Sequence, residues 1–232
     1  VSDQARIAEL TLCLAHDLKS PLAAIISNAH YVLEDDQHNA ELDGAVKDIL
    51  GATDFLLRML QDLEAIAAHA NGKLEARRER VELSDLLGVI KLESREAATL
   101  RDHRLELKVT PPNAVASIDR ALVSRALRNL VDNSISYSPP RSQIALEASL
   151  DEAGTLTLCV KDDGPRVPAE LHERVFSRFG RLDRDRVGRV GRGVSLHYCE
   201  IAALAHDGNI VIRDDGERGV LFRMTLPNSQ YS

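Results

Sequence analysis

The chain has no tryptophan, only four phenylalanines and only three cysteines among its 232 residues. Cys13, Cys159 and Cys199 stand singly inside apolar segments, without the paired spacings that hold zinc or frame a disulfide scaffold. They read as reduced core thiols of a cytoplasmic protein. Long apolar runs are missing too: none approaches the roughly 18 residues that cross a bilayer, and no secretory leader is evident. The first residue is Val rather than Met, which fits an excised piece, so this absence describes the fragment and no parent chain. Basic charge is in short supply, with 29 Lys and Arg against 36 Asp and Glu and a formal charge of -7. That balance excludes a nucleic-acid binder that grips phosphate backbones, although arginines gather locally between Arg174 and Arg192. There are no repeats and no low-complexity tracts.

What is present is 44% hydrophobic residues, enough for a packed core in one large or two small domains. Leu14, Leu18, Leu22, Ile25, Ala29 and Val32 recur at three- and four-residue intervals, which predicts a helix from residue 5 to about 36, bent at Pro21. His16 lies off that stripe with Asp17 beside it, so its imidazole is placed on the wet face, where it can act as a nucleophile. A lone surface histidine proves little. A polar run follows, and then Leu42, Ala45, Ile49, Ala52, Leu56, Leu60, Leu63 and Ile66 keep helical spacing up to a stop at Asn71-Gly72. Two such helices form an antiparallel hairpin that cannot bury its stripe alone. Pairing with a second copy into a four-helix bundle resolves this, which predicts a homodimer.

Beyond Arg77-Arg78-Glu79-Arg80 the pattern changes to short alternating strands and shorter helices. Strands are predicted at 81–83, 105–109, 115–118, 143–150, 155–161, 209–213 and 219–225. Helices are predicted from an N-cap at Ser84 to about 101, from an N-cap at Asp119 to about 136, and over 193–206. This mixture indicates an α+β two-layer sandwich. The expected division is a hairpin at 1–72, a linker at 73–80 and a second domain at 81–232.

Three constellations in the second domain carry chemistry. Asn129 and Asn133 stand four apart on one helix face, and both are poor helix formers, so their amide oxygens can point at one hard cation such as Mg²⁺. Asp162 closes a strand ahead of Asp163 and Gly164; a carboxylate there can accept from an exocyclic amine, and Gly164 allows close backbone approach. Gly188, Gly191 and Gly193 precede a helix through Val194 and Ser195, where backbone N–H groups can cradle phosphate. Each has a bland alternative: solvated asparagines, an ordinary Asp-Gly turn, a glycine-rich loop. Phe176 and Phe179, between the last two, read as core anchors of a loop.

Taken in order, HDLKSPL, NLVDNSISYSPP, DDGPRVP, VFSRFGRLD and GRGVSL resemble the phosphoacceptor, asparagine, first glycine, phenylalanine and second glycine boxes of bacterial sensor histidine kinase transmitters. The resemblance implies a dimerisation and phosphotransfer hairpin followed by a GHKL, Bergerat-like ATP-binding domain. It implies that His16 takes the γ-phosphoryl group of ATP with Asp17 orienting the ring or taking its proton, and passes it to an aspartate of a response-regulator receiver domain. Asn129 and Asn133 would hold Mg²⁺, Asp162 and Gly164 the adenine, and Gly191, Gly193, Val194 and Ser195 the phosphates, under a lid at roughly 180–192. Ser20, one turn after His16, is placed to position a water for dephosphorylating the regulator. Arg166 and Ser195 stand where the family has glycines. An alternative implied by those departures is a degenerate transmitter that docks or relays phosphate without binding ATP well.

Overall fold

The computed structural model describes residues 18, 20, 21, 23–25, 27, 28, 31, 32, 40–70, 72–172, 174–176, 193–214 and 219–227. Described residues within 18–32 are helical, and α1 (Ala40–Ala70) follows. Leu42, Ala45, Met59 and Ile66 on α1 are buried, whereas Val46 and Leu50 are exposed. The helix stops as its sequence predicts: Gly72 adopts φ 64°, and the amides of Gly72 and Lys73 donate to the carbonyls of His69 and Ala68.

The second unit contains β1 (Glu79–Glu82), α2 (Leu83–Thr99), β2 (Arg104–Thr110), β3 (Val115–Ile118), α3 (Arg120–Tyr137), β4 (Gln143–Leu150), β5 (Thr155–Asp162), α4 (Gly193–Leu204), β6 (Asn209–Asp214) and β7 (Val220–Pro227). Strands β1 and β3 pair antiparallel as a small ribbon. The main sheet runs β2-β4-β5-β7-β6, parallel between β2 and β4 and antiparallel elsewhere. Alternation selects the buried face: Leu156, Leu158 and Val160 of β5 pack with Phe222 and Met224 of β7 against Leu86, Leu127 and Tyr198 from the three helices. Each fully buried Leu or Phe of this layer contributes about 1.5–3 kcal/mol. Tertiary structure overrides one expected cap: α2 starts at Leu83 with Glu82 at the N-cap and no side-chain cap bond, so Ser84 is not the N-cap. Leu83 is wholly buried and its amide donates to Ala114, and this pairing starts the helix before the serine.

Helix α3 begins at a clamp. Asp119 Oδ1 accepts from the Leu122 amide at 3.0 Å, as its N-cap spacing predicts, and Oδ2 accepts from the Arg77 amide at 2.9 Å. The Asp119 amide itself donates to Nε2 of His206 at 2.9 Å, while His206 Nδ1 donates to the Ala202 carbonyl at 2.7 Å. Those two partners fix the neutral tautomer with the proton on Nδ1. Arg78 completes the clamp, donating to the carbonyls of Pro227 and His206 and pairing with Asp207. Residues 77 and 78 are thus tied to the sheet unit, and Glu79 and Arg80 already belong to β1.

His206 is fully buried, and burial pushes its pKa below the ordinary 6.5; Arg78 adds to this, while the Ala202 carbonyl, Asp119 and Asp207 pull the other way. A histidine with a lowered folded-state pKa contributes stability that is present above pH 6.5 and lost as pH falls through the lowered value. The denaturant midpoint should therefore fall on the acid side of pH 6.5, and His206→Gln, whose amide does not titrate, should flatten that slope. Equal slopes in the two proteins would refute the assignment. His206→Ala should cost about 1–3 kcal/mol at neutral pH, because it leaves the part-buried Asp119 amide unpaired.

Candidate functional site

The period-two alternation of β5 that buries Leu156, Leu158 and Val160 carries on to Asp162, so the strand delivers a carboxylate to the core face at its last residue. Asp162 is 3% exposed. Its Oδ1 accepts from the Gly164 amide at 2.7 Å and its Oδ2 from the Ser134 hydroxyl at 2.5 Å. Burial raises the carboxyl above its ordinary range, against the pull of Ser134, the Gly164 amide and Ser138. The turn around it is pinned as well: Asp163 accepts from the Gln143 amide at the head of β4, and the Gly219 amide donates to the Gly164 carbonyl. Gly164 is required for space, because a Cβ there would stand 2.6 Å from Asp162 Oδ1. Each carboxylate oxygen still has an unused lone pair for a ligand donor.

Helix α3 presents Asn129, Asn133 and Ser134 on adjoining faces. Asn129 is 6% exposed and Asn133 half-buried, so the pair is not the solvated surface feature that an isolated motif suggests. Asn129 Nδ2 donates to Asp62 Oδ2 of α1 at 3.0 Å and to the Ser195 carbonyl of α4 at 3.4 Å. Since both partners are acceptors, the amide orientation is fixed and the amide oxygen is the atom left for a cation. Gly193, Val194 and Ser195 form the first turn of α4. Val194 is buried with Ile66 of α1 and Ile201 of α4.

Asp162 and Gly164 are thus joined to α3 through Ser134 at the end of β5, and Asn129 to the start of α4 through Ser195, with Asn133, Gly193 and Val194 on the same two helices. Ser20 is exposed on a helical residue, and Arg166 is exposed beside Gly164. His16, Asp17, Gly191 and the lid at 180–192 lie outside the described residues. Among the described residues no three His, Cys, Asp or Glu side chains are grouped to hold a metal, so a cation here would rest on amide oxygens and its own ligand's phosphates. Of the cysteines, Cys199 is buried and Cys159 half-buried, both as free thiols.

Two site residues were missed in the sequence. Ser134 has a weak signal, as it stands four residues before Ser138 at the C-cap, and burial of both is not readable from that spacing. Asp62 has a stronger one: Phe55, Met59, Asp62 and Ile66 follow helical spacing, so an acid interrupts a stripe meant for burial. It is 1% exposed. Burial pushes its carboxyl up to about 7, against the Asn129 bond and the positive charges of Arg125 and Arg58.

Residues 118–230 match the family described as histidine kinase-, DNA gyrase B- and HSP90-like ATPases. The sensor protein CreC of Escherichia coli K12 is 30% identical over 95% of the chain, which in turn spans 45% of CreC, less than half the length of that relative. Among solved structures, the Acinetobacter baumannii histidine kinase AdeS aligns with a TM-score of 0.68 at 18% identity, over 93% of this chain and 98% of that one. The histidine kinase ThkA in complex with the response regulator protein TrrA aligns with a TM-score of 0.65 at 21% identity, over 97% of this chain and 64% of that one. At these identities the structures speak for the fold, a GHKL-type α/β ATP-binding domain with a mixed sheet. Residues 118–230 are thus similar to the histidine kinase-, DNA gyrase B- and HSP90-like ATPases, and the chain's homologues are sensor histidine kinases.

Proposed function

We propose that the chain is the transmitter of a two-component signalling system: an ATP-dependent protein histidine kinase that phosphorylates its own His16 and passes the phosphoryl group to an aspartate of a response-regulator receiver domain. The observation that carries this reading is the Asp162 carboxylate, buried at the strand end and held on both oxygens by Ser134 and Gly164, beside the asparagine face of α3. An adenine nucleotide fits that donor set, because a fixed acceptor next to a side-chain-free turn suits a flat ring bearing an exocyclic amine. Mg²⁺ fits the other end, where the Asn129 amide nitrogen is engaged and its oxygen is free to serve a hard cation together with Asn133. When bound, Mg²⁺ supplies charge neutralisation on the phosphates.

The chain's own residues then have distinct tasks. Asp162 reads the adenine, and the N-terminal turn of α4 at Gly193, Val194 and Ser195, with Gly191, offers backbone N–H groups to the phosphates. A nitrogen of His16 forms the bond to the γ-phosphorus as the bond to the β–γ bridging oxygen breaks, and ADP departs with that electron pair. Asp17 orients the ring or takes its proton. Dimerisation through the hairpin is supported by Val46 and Leu50, exposed at 41% and 61% on α1, where a second copy would cover them. The regulator as partner is supported by the response-regulator complex of the similar ThkA fold. With Arg77 and Arg78 tied to the sheet unit, the hinge that brings His16 to ATP narrows to residues 73–76. We assign a cytoplasmic location; among the described residues no helix is long and apolar enough to cross a membrane.

Incubation with γ-labelled ATP and Mg²⁺ should give an acid-labile label that is lost in His16→Ala; equal labelling of a folded variant would defeat the kinase reading. Asp162→Asn should weaken binding of an ATP analogue about tenfold or more, as expected when a hydrogen bond to a buried charged group is altered. Calorimetry on the two proteins checks this, and unchanged affinity would remove Asp162 from the adenine site.

A further inference from the structure

Asp62 belongs to the hairpin helix α1, yet its only described hydrogen bond reaches into the asparagine box. The carboxylate is 1% exposed, its Oδ2 accepts from Asn129, and among the described residues its buried Oδ1 has no hydrogen-bond partner. A buried acid with one oxygen unserved is a poor way to fill a helix interface: desolvation works against it, and a leucine at this point of the stripe would pack at less cost. Neighbouring contacts already hold α1 in place. Arg125 donates to Gln61 at 2.5 Å, and Ile66 packs with Val194 and Ile201. What Asp62 adds is orientation. With Ser195 it takes both hydrogens of the Asn129 amide nitrogen, which leaves the amide oxygen as the atom available to a cation.

We infer that Asp62 is a positioning residue for the metal end of the nucleotide site, contributed by the hairpin, so that the site is complete only while α1 is docked on α3 and α4. The inference rests on the reading of Asn129 as a residue that holds Mg²⁺. It goes further in making metal affinity and hairpin docking linked quantities: whatever favours one must favour the other by the same factor. The adenine end needs nothing from α1, since Asp162, Ser134 and Gly164 all lie within the sheet unit.

The test compares binding of a non-hydrolysable ATP analogue by calorimetry, in Mg²⁺ and in chelator, for the whole chain and its Asp62 variants. In Asp62→Leu the tightening produced by Mg²⁺ should shrink about tenfold, the scale seen when a group supporting a metal ligand is removed. Affinity in chelator should change less than twofold. Asp62→Asn should recover most of the Mg²⁺ effect, because its carbonyl oxygen accepts from the same amide. Should Asp62→Leu fail to fold, Asp62→Ala carries the same expectation. Equal weakening with and without metal, an undiminished Mg²⁺ effect, or tighter Mg²⁺-dependent binding in the variant would each overturn the assignment, the last by making docking and metal binding exclusive. If the wild-type chain binds the analogue but Mg²⁺ has no effect, the inference alone fails. If it binds no analogue under either condition, the kinase reading fails and takes the inference with it.

Discussion

The placement of α3 governs the rest of the structure, and it is set by the bond from the Asp119 amide to His206. One residue satisfies three demands there. Its carboxylate caps α3 and holds the Arg77 amide, while its own amide is taken by a histidine at the far end of α4. Helices α3 and α4 are thereby fixed to one another at a point well away from the chemistry. The register between Asn129 and the Ser195 carbonyl, three turns along, is inherited from that clamp. The part-buried Asp119 amide is paired only with neutral imidazole, which couples the geometry of the site to the protonation of a residue that touches no ligand.

A second constraint comes from the sheet. Strand alternation has no regard for chemistry, so the face that buries Val160 also buries the next inward residue, Asp162. An acid in that position is tolerable only with donors on its oxygens. The fold meets this with a serine from α3 and an amide from the turn immediately following, and the turn has to be glycine because a Cβ would strike the carboxylate. The glycine of the DDG sequence, expected to admit a flat ring to the backbone, has a nearer reason to be there: the carboxylate it supports.

Much of this was legible in the sequence. Period two gave the strands at 115–118 and 143–150 with their observed bounds, and Asp119 as an N-cap followed from a residue that accepts from the third amide on. Asn129 could be named because asparagine is a poor helix former, Asp162 because a carboxylate ends a strand ahead of a glycine turn, and Ser195 because it follows a glycine-rich helix start. Relations between distant segments were not legible. Nothing local says that His206 serves Asp119, or that Ser84, a good capping residue, would be passed over because Leu83 is captured by Ala114. Asp62 lay in plain view as an acid in an apolar stripe, but its partner is 67 residues away, and periodicity identifies only the face of a helix, never what will cover it.

The two buried carboxylates, Asp162 and Asp62, separate what the site does alone from what it does in company. Both are raised by burial, and both meet α3 within its buried face. Asp162 has donors on both oxygens from its own unit, so its geometry does not depend on where α1 sits. Among the described residues Asp62 has a donor on one oxygen only, supplied across the joint, so its bond to Asn129 holds only while α1 is in place. The Asp162 end of the cluster is consequently a property of the sheet unit alone. The Asn129 end depends on the arrangement of two units, because Asp62 of α1 supplies one acceptor of its amide; under the kinase reading proposed above, movement of α1 would alter that end and leave the Asp162 end intact.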